Sequence, residues 1–514
     1  MIVPRYIVGF SGHRRLMNIE AVRQGIRSTL AELKAKAQAA GGRLVLFSSA
    51  ASGADLLALE AAREIGLDVH IILPLTEEDF RNDFVDESGR LDEAQWQRSI
   101  GQVVLARSNR ETDSVRVLPT RAPRPECYHE TALKMIDACD LMLTVWDGEA
   151  ARGLGGTGEF HRLARERGRP HISLNPATGR MEFQENLPAT WPERDAVVDA
   201  LNASIFKKHP RPTEDNAASV FARLEEAANR RAPEFRRSAS RIIWINAAAT
   251  LVGATSGMFT AWLEGVLAPQ KQWIPAMAFN AMELLLVLAA LAVVIWIKFR
   301  KVRGEWLQAR FATELVRAVK ASLGWLDPLQ PQVALTAPQW RRFALTAGLM
   351  CGAPAAPTEA LEQRKQAYLT RRLEEQIRHF REKGAPAERS NGRFAALTIL
   401  AAWLAPLVVM MALALKIHYP DWSAGTFWGS FSTKFLPVIL PLSAGTAAAL
   451  RATMDYSRRS RRYPALARRL ETLAGGFSGM QTEYTAREVV RQTESLLLDE
   501  LLDWQIVARS AGIR

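Results

Sequence analysis

Several signals that would place this sequence in a common class are absent. It has only three cysteines, Cys127, Cys139 and Cys351, in no metal-ligand spacing, so we expect free thiols in a reducing compartment and no metal site. The dinucleotide fingerprint GxGxxG does not occur where it belongs, after a strand, which disfavours ordinary NAD dehydrogenase chemistry. Met1–Phe10 is too short for a secretory signal and leads into a glycine turn, so we expect no such signal.

Acidic residues are the minority charge: 54 Asp+Glu stand against 66 Lys+Arg, a formal net charge of +12. Such an excess suits nucleic acid, an anionic ligand or the inner leaflet of a membrane. Much of it flanks long apolar runs, which weakens the nucleic-acid interpretation. We therefore expect no direct DNA or RNA binding.

Long apolar runs occur only after about residue 200. Residues 242–263 lack any charge and, with 273–297, predict a transmembrane hairpin, the first apolar pair. Residues 394–415 and 435–450 predict a second apolar pair. The last run is short, so it must extend at one end or end in a snorkelling Arg451. Buried helices of a soluble domain are the alternative for this second pair.

The flanking charges predict the orientation of both pairs. Their outer flanks are strongly basic, whereas the two connecting loops hold few cations, at Lys271, Lys416 and Lys434. By the positive-inside rule, both loops point outward and the remaining chain lies in the cytoplasm.

Four residues of the first apolar pair carry a membrane hypothesis. Gly253 and Gly257 form a GxxxG spacing that permits close helix approach. Glu283 lies near the middle of the second run, one turn after Asn280. A carboxylate there is expensive, so it marks either a polar path through the membrane or an interhelical contact; the sequence leaves both open.

The first third of the chain alternates apolar strands with helices. Strands are predicted at Arg5–Phe10, in the LVLF run near residue 45, and at Asp68–Leu73, Leu141–Trp146 and His171–Leu174. This order predicts an α/β Rossmann-like domain with a parallel, doubly wound sheet, followed by an all-α transmembrane region of two helical hairpins. Residues 79–126 show no clear pattern.

Three glycine-containing turns follow the predicted strands. We call Gly9–Arg15 the first turn, Ser48–Asp55 the second turn and Gly153–Phe160 the third turn. Glycine turns and guanidinium groups at one sheet edge favour a phosphate-bearing ligand over plain turn chemistry. The candidate ligand-binding residues are Gly9, Ser11, Gly12, His13, Arg14, Ser49, Gly53, Asp55, Gly155, Gly156, Thr157 and Glu159.

The motifs GFSGHR, SSAASGADLLALEAA, VHIILPL, CDLMLTVWDG and GGTGE, in that order, resemble a SLOG domain, the Rossmann-like superfamily of LOG nucleotide hydrolases and DprA-like proteins. In LOG enzymes a glutamate in a similar motif is catalytic, with an upstream arginine–lysine pair. This sequence lacks the motif's proline and offers His129, Glu130 and Lys134 instead of that pair. The resemblance therefore implies that Glu159 recognises a nucleotide, with hydrolysis by Glu159 as the alternative. No cofactor and no other catalytic residue are expected.

The segments RRLEEQIRHFREKGAPAERSNGR, DYSRRSRRYPALARRLETLAG and TEYTAREVVRQTESLLLDELLDW are similar to SLATT, the SMODS- and SLOG-associating two-transmembrane effector domain. The first apolar pair, followed by ARFATELVRA, looks like a less complete second copy. SLOG joined to SLATT implies CBASS-like bacterial defence at the inner membrane. A partner synthase would supply a nucleotide second messenger, and a homo-oligomer would disrupt the lipid bilayer. A nucleotide-gated channel or transporter is a further alternative.

These patterns predict five regions. Residues 1–185 form the SLOG-like domain, 186–225 a linker and 226–325 the first two-span unit. Residues 326–365 form connecting cytoplasmic helices, and 366–505 the SLATT-like second unit.

Overall fold

The computed structural model divides the chain into two compact units. Unit 1 comprises Met1–Glu225, Phe311–Ala360 and Val490–Arg514; unit 2 comprises Glu226–Arg310 and Leu361–Val489. The structure describes residues 1–514 except 86–87, 110–111, 119–122, 151–152, 207–215, 264–272, 301, 328–329, 353–359, 420–421, 423–425 and 511–514.

A seven-stranded sheet forms the centre of unit 1. Its strands are β1 Arg5–Gly12, β2 Arg43–Ser48, β3 Asp68–Leu73, β4 Ser114–Val117, β5 Leu141–Val145, β6 His171–Leu174 and β7 Met181–Glu185. They lie in the order β4-β3-β2-β1-β5-β6-β7. All neighbours are parallel except β6 and β7. The predicted parallel α/β architecture is confirmed, with an antiparallel strand added at one edge.

Helices cover both faces of this sheet. They are α1 Ile19–Ala39, α2 Ala54–Glu64, α3 Glu77–Arg81, α4 Glu93–Ser108, α5 Arg124–Ala138, α6 Thr157–Glu166 and α7 Ala196–Leu201. The side chain of Asn18 accepts a hydrogen bond from Ala21 N and so caps the start of α1. Residues 79–126 contain α4, β4 and the start of α5.

Alternation along the strands produces two apolar layers. Tyr6 and Val8 of β1 belong to one buried cluster, whereas Ile7 between them belongs to another on the opposite face. Successive strand side chains point to opposite faces, so an almost unbroken apolar run fills both layers.

The remaining helices run to the end of the described chain. They are α8 Ala217–Leu263, α9 Trp273–Arg300, α10 Val302–Ser322, α11 Val333–Thr336, α12 Arg341–Met350, α13 Leu361–Tyr368, α14 Glu375–His418, α15 Phe427–Ser430, α16 Leu436–Thr453, α17 Tyr456–Ser478 and α18 Glu483–Ser510. Short π-helical segments occupy Asn202–Phe206, Leu369–Glu374 and Phe431–Phe435, and a 3₁₀ turn Pro338–Trp340.

Four helical stretches in the described residues are long and apolar enough to cross a membrane: Arg237–Thr260, Met277–Trp296, Leu361–His418 and Phe427–Thr453. Many of their large apolar side chains are exposed, such as Leu285 at 67% and Trp403 at 74%. Such exposure is costly in water and ordinary in lipid.

The fourth apolar stretch is longer than the predicted run 435–450. Its helical path begins at Phe427, so the extension is at the amino-terminal end. Arg451 at the other end donates from Nε to Asn391 Oδ1 at 2.6 Å. A polar partner on the neighbouring α14 thus satisfies this arginine.

A second apolar cluster in unit 1 joins distant parts of the chain. Phe311 of α10, Trp340, Phe343 of α12 and Leu498 of α18 pack with Phe206. These residues come from the three sequence segments of unit 1, so its helical part is complete only when all three are present.

Helix α12 is fastened to the amino-terminal edge of the sheet. Arg341 Nη2 donates to the carbonyls of Asp137 and Ala138, each at 2.8 Å, at the end of α5. Its Nη1 lies 3.3 Å from Asp140 Oδ1, and Arg342 Nη2 lies 3.5 Å from the same oxygen. Cations at a helix carboxyl end complement its dipole, so α12 has a specific anchor on the sheet domain.

This anchor generates a stability prediction. Arg341→Gln should destabilise unit 1 by about 2 kcal/mol, because Asp140, whose side chain is 8% exposed, and the end of α5 lose a charged donor. Hydrogen exchange of the full-length protein in detergent should then rise in β1 and α5. Arg194→Gln, which removes an exposed pair with Asp199, is the control. Equal effects of the two substitutions would contradict the anchor.

Candidate functional site

The three glycine turns lie at one edge of the sheet. They follow β1, β2 and β5, which are adjacent and parallel, so their carboxyl ends are neighbours. The strand order reverses between β1 and β5. A crevice at such a reversal is the usual ligand position in doubly wound sheets.

Asp55 connects the first and second turns from below. Its carboxylate accepts from Gly12 N at 3.1 Å, Ser48 Oγ at 3.2 Å and Ser49 Oγ at 2.7 Å. Asp55 is 3% exposed, and this burial raises the pKa of its carboxyl to about 6 although the hydrogen bonds act in the opposite direction. The side chains of Asp55 and Ser49 therefore stabilise the conformation of the two turns by hydrogen bonds to each other and to the backbone.

Glycine at two positions of these turns is required by packing. Gly53 has φ +87°, and a Cβ there would lie 2.3 Å from the Arg14 carbonyl oxygen. Gly9 lies inside β1, where a Cβ would lie 2.5 Å from Cys139 Sγ. Gly53 thus fixes the backbone that presents Arg14, whereas Gly9 and the strand residue Ser11 precede the exposed part of the turn.

His13 joins the first turn to the residue after Trp146. Its Nε2 lies 3.1 Å from Asp147 Oδ1 and 3.1 Å from Asp147 N. Partial burial acts against ionisation of Asp147, but the N–H of Glu149 and the neighbouring His13 lower the pKa of this carboxyl. A histidine–aspartate pair therefore lies beside the crevice.

The third turn rests against α5. A Cβ on Gly155, which has φ +81°, would lie 2.1 Å from Tyr128 Cβ. Gly156 is the N-cap of α6, has no side chain to cap the helix, and has ordinary extended dihedrals. The backbone amides at the start of α6, from Thr157 onward, are therefore suited to bind an anion.

Glu159 is buried beneath the third turn. It is 2% exposed, accepts from Gly155 N and lies 2.9 Å from His129 Nδ1. Arg162 Nη2 lies at 3.5 Å. These partners hold the turn in shape, and they also place one imidazole against the carboxylate.

Some residues at this edge were not predicted from the sequence. Asp83 and Arg124 belong to the stretch without a recognisable pattern, yet Arg124 begins α5 one turn before Tyr128. A proline followed by a charged first turn, PRPE, is a helix-start signal that would have located Arg124. Among the described residues, no group of three or more potential ligands could hold a metal ion.

Of the four residues of the membrane hypothesis, Gly253 and Glu283 contact each other, whereas Gly257 and Asn280 do not take part in this contact. A Cβ on Gly253 would lie 3.0 Å from both carboxylate oxygens of Glu283, so this side chain lies directly on the Gly253 backbone. At Gly257 a Cβ would meet nothing within 4 Å. Asn280 is exposed. The geometry therefore places Glu283 in an interhelical contact at Gly253.

Aromatic rings gather at one end of the apolar helices in unit 2. Phe259 stacks on Phe279 with ring centroids 6.1 Å apart, and Phe427 lies 6.4 Å from Phe259. Trp262 lies 6.2 Å from Phe427. The end of the first stretch and the starts of the second and fourth thus lie together, an aromatic grouping typical of a membrane interface.

Comparison with protein families gives one match. Residues 368–504 match the model of the SMODS and SLOG-associating 2TM effector domain 1. No curated protein and no solved structure gives a significant match. The match supports the SLATT part of the resemblance, and together with the four apolar stretches it indicates a membrane protein with an effector domain of this type.

The buried Asp55 predicts a pH dependence. Because its folded pKa is raised, its contribution to stability is fully present below about pH 4 and is lost as the pH rises through about 6. Asp55→Asn removes this titration. Between those pH values the stability of the variant relative to wild type, followed by its melting temperature, should increase by about 3 kcal/mol. Glu130→Gln, an exposed carboxylate, is the control; a flat Asp55→Asn difference would contradict the assignment.

The Gly253 contact predicts a position-specific packing effect. Gly253→Leu should separate the two helices and lower the melting temperature in detergent, because even a Cβ at this site meets Glu283. Gly257→Leu is the matched control and should have little effect. If both glycine substitutions lower the melting temperature equally, the contact at Gly253 is wrong. If Glu283→Ala changes ion leakage through the membrane, a polar path is favoured instead.

Proposed function

We propose that this protein is a nucleotide-sensing membrane effector of a CBASS-like bacterial anti-phage defence system. A nucleotide second messenger from a partner synthase binds the turns at the sheet edge, and an oligomer then disrupts the membrane. The observation that carries the proposal is the convergence of three glycine turns, His13 and Arg14 at the strand-order reversal of a chain with four apolar helical stretches.

The turns support a nucleotide phosphate as ligand. Helix α6 starts at Thr157 after the N-cap Gly156, which supplies no side-chain cap, and the backbone of Arg14 lies against Gly53 of the neighbouring turn. Backbone amides and a guanidinium are the groups that bind phosphate most often. Glu159 and Asp55 act beneath the turns, so they position this surface.

Helix α5 supports coupling between the site and the segment linking the apolar pairs. Tyr128 and His129, near its start, contact the third turn. The carbonyls at its end receive Arg341, which belongs to residues 311–360 between the first and second apolar pairs. A ligand that favours one position of α5 would therefore favour one arrangement of this segment.

The apolar helices support two hairpins in a bacterial inner membrane. The aromatic grouping of Phe259, Phe279 and Phe427 lies near the two connecting loops, while the opposite flanks are rich in arginine. This distribution favours outward loops and a cytoplasmic sheet domain. Four spans enclose little space, so pore formation requires several copies in a homo-oligomer.

A membrane-tethered nucleotide hydrolase is the second candidate. The specific observation in its favour is the pairing of Glu159 with His129 Nδ1 at 2.9 Å, a carboxylate and imidazole suited to acid–base chemistry. Against it, Glu159 is buried and accepts from Gly155 N.

The decisive experiment uses full-length protein in phosphatidylethanolamine–phosphatidylglycerol vesicles that contain a dye. A panel of cyclic oligonucleotides and ADP-ribose derivatives is added, and dye release and nucleotide breakdown are measured together. We expect one ligand class to cause release without breakdown. The double variant Arg14→Ala, Gly156→Ala should lose the response yet melt normally, because a Cβ at Gly156 meets only Gly153 O at 3.7 Å.

Glu159→Gln separates the two candidates. In a sensor, glutamine still accepts from Gly155 N, so dye release should persist. In a hydrolase, the variant should form no product. Breakdown by wild type that this variant abolishes would replace the effector proposal, and a panel without release or breakdown would overturn both.

A further inference from the structure

Asp83 lies between two arginines at the edge of the sheet that carries the glycine turns. Arg14 Nη2 is 3.4 Å from Asp83 Oδ2, and its Nη1 donates to the Asp83 carbonyl at 3.4 Å. Arg124 Nη2 donates to Asp83 Oδ1. Two guanidinium groups from different elements thus converge on one carboxylate.

The main chain of Arg14 and the side chain of Arg124 each contact neighbouring backbone. The main chain of Arg14 lies against Gly53, where any side chain would collide with it. Arg124 is the first residue of α5 and also donates to the Asp79 carbonyl at 3.1 Å. Since Tyr128, one turn further along α5, covers Gly155, Arg124 is connected to the third turn as well as to Asp83.

Asp83 is presented by a firmly anchored segment. Phe80 and Phe84 on either side are buried, with ring centroids 5.3 Å apart, and Phe84 lies 5.3 Å from Trp96. The side chain of Asp83 is 13% exposed, whereas those of Arg14 and Arg124 are 48% and 40% exposed. Solvent therefore reaches the two cations more readily than the carboxylate between them.

The chemistry of this cluster matches a phosphate. A carboxylate and a phosphate oxyanion both accept hydrogen bonds from forked guanidinium groups. The three side chains carry two positive charges and one negative charge, so an excess positive charge remains for an incoming anion. Exchange of Asp83 for a ligand phosphate would retain both donor groups and relieve the mutual repulsion of the arginines.

We propose that Arg14 and Arg124 form a phosphate subsite and that Asp83 is its built-in competitor. The inference rests on the proposed function and deepens it. It adds Arg124 as a ligand-binding residue, and it gives the segment after β3 the role of setting the affinity. The ligand class is a nucleotide with a phosphate able to reach both guanidinium groups.

The test measures pyrophosphate binding to the full-length protein in detergent by calorimetry at fixed ionic strength. Asp83→Asn should tighten binding by roughly three- to tenfold, the range expected when exposed charge contacts are exchanged. Arg124→Gln should weaken binding by a similar factor, and should cancel the gain when combined with Asp83→Asn. The matched controls Arg81→Gln and Glu93→Gln remove the two partners of a nearby exposed pair and should change little.

The outcomes distinguish this inference from the proposed function. If Asp83→Asn binds pyrophosphate no better than Glu93→Gln, or if Arg124→Gln behaves like Arg81→Gln, the subsite is wrong. Nucleotide-triggered dye release that survives Arg124→Gln but is lost in the Arg14→Ala, Gly156→Ala variant would retain the effector and overturn the subsite. Loss of dye release in Arg124→Gln, together with the expected pyrophosphate changes, supports both.

Discussion

The hydrogen bonds and ion pairs of Arg341 and Arg342 are the constraint on which unit 1 depends. They join α12 to the carboxyl end of α5 and to Asp140, whose other oxygen accepts from Ile7 N of β1 at 2.9 Å. A residue more than three hundred positions from β1 in sequence thereby closes the amino-terminal edge of the sheet. The opposite edge is left to the glycine turns, and α5 contacts both regions. This one attachment covers the amino-terminal ends of the strands and leaves their carboxyl-terminal ends available for a ligand.

The interior strands of the sheet could be predicted from the sequence, whereas its two outermost strands could not. Interior strands such as β1 and β5 are buried on both faces and appear as apolar runs bounded by turns. The edge strands β4 and β7 were missed because SVRV and MEFQE are short and polar, as strands with less burial are. The packing of residues 311–360 into unit 1 is also invisible to local periodicity, since it depends on apolar contacts and ion pairs between positions far apart in sequence.

The candidate site was predictable at the level of turns and less so at the level of individual side chains. Glycines required by packing, such as Gly9 and Gly53, look the same in sequence as glycines that approach a ligand. Asp55 and Glu159 were selected as polar residues of the second and third turns, and the structure places both beneath the surface. The membrane pair Gly253 and Glu283 follows the expected small-residue pattern, but only the three-dimensional arrangement distinguishes Gly253 from Gly257.

The interleaving of the two units has a consequence for biosynthesis. The final stretch of unit 1, from Val490 onward, leaves the ribosome only after the four apolar stretches found in the described residues have been translated. Until Leu498 arrives, the cluster around Phe311 and Trp340 has an uncovered apolar surface. The order of translation therefore prevents completion of the sheet-bearing unit on any nascent chain that does not already contain all its hydrophobic spans.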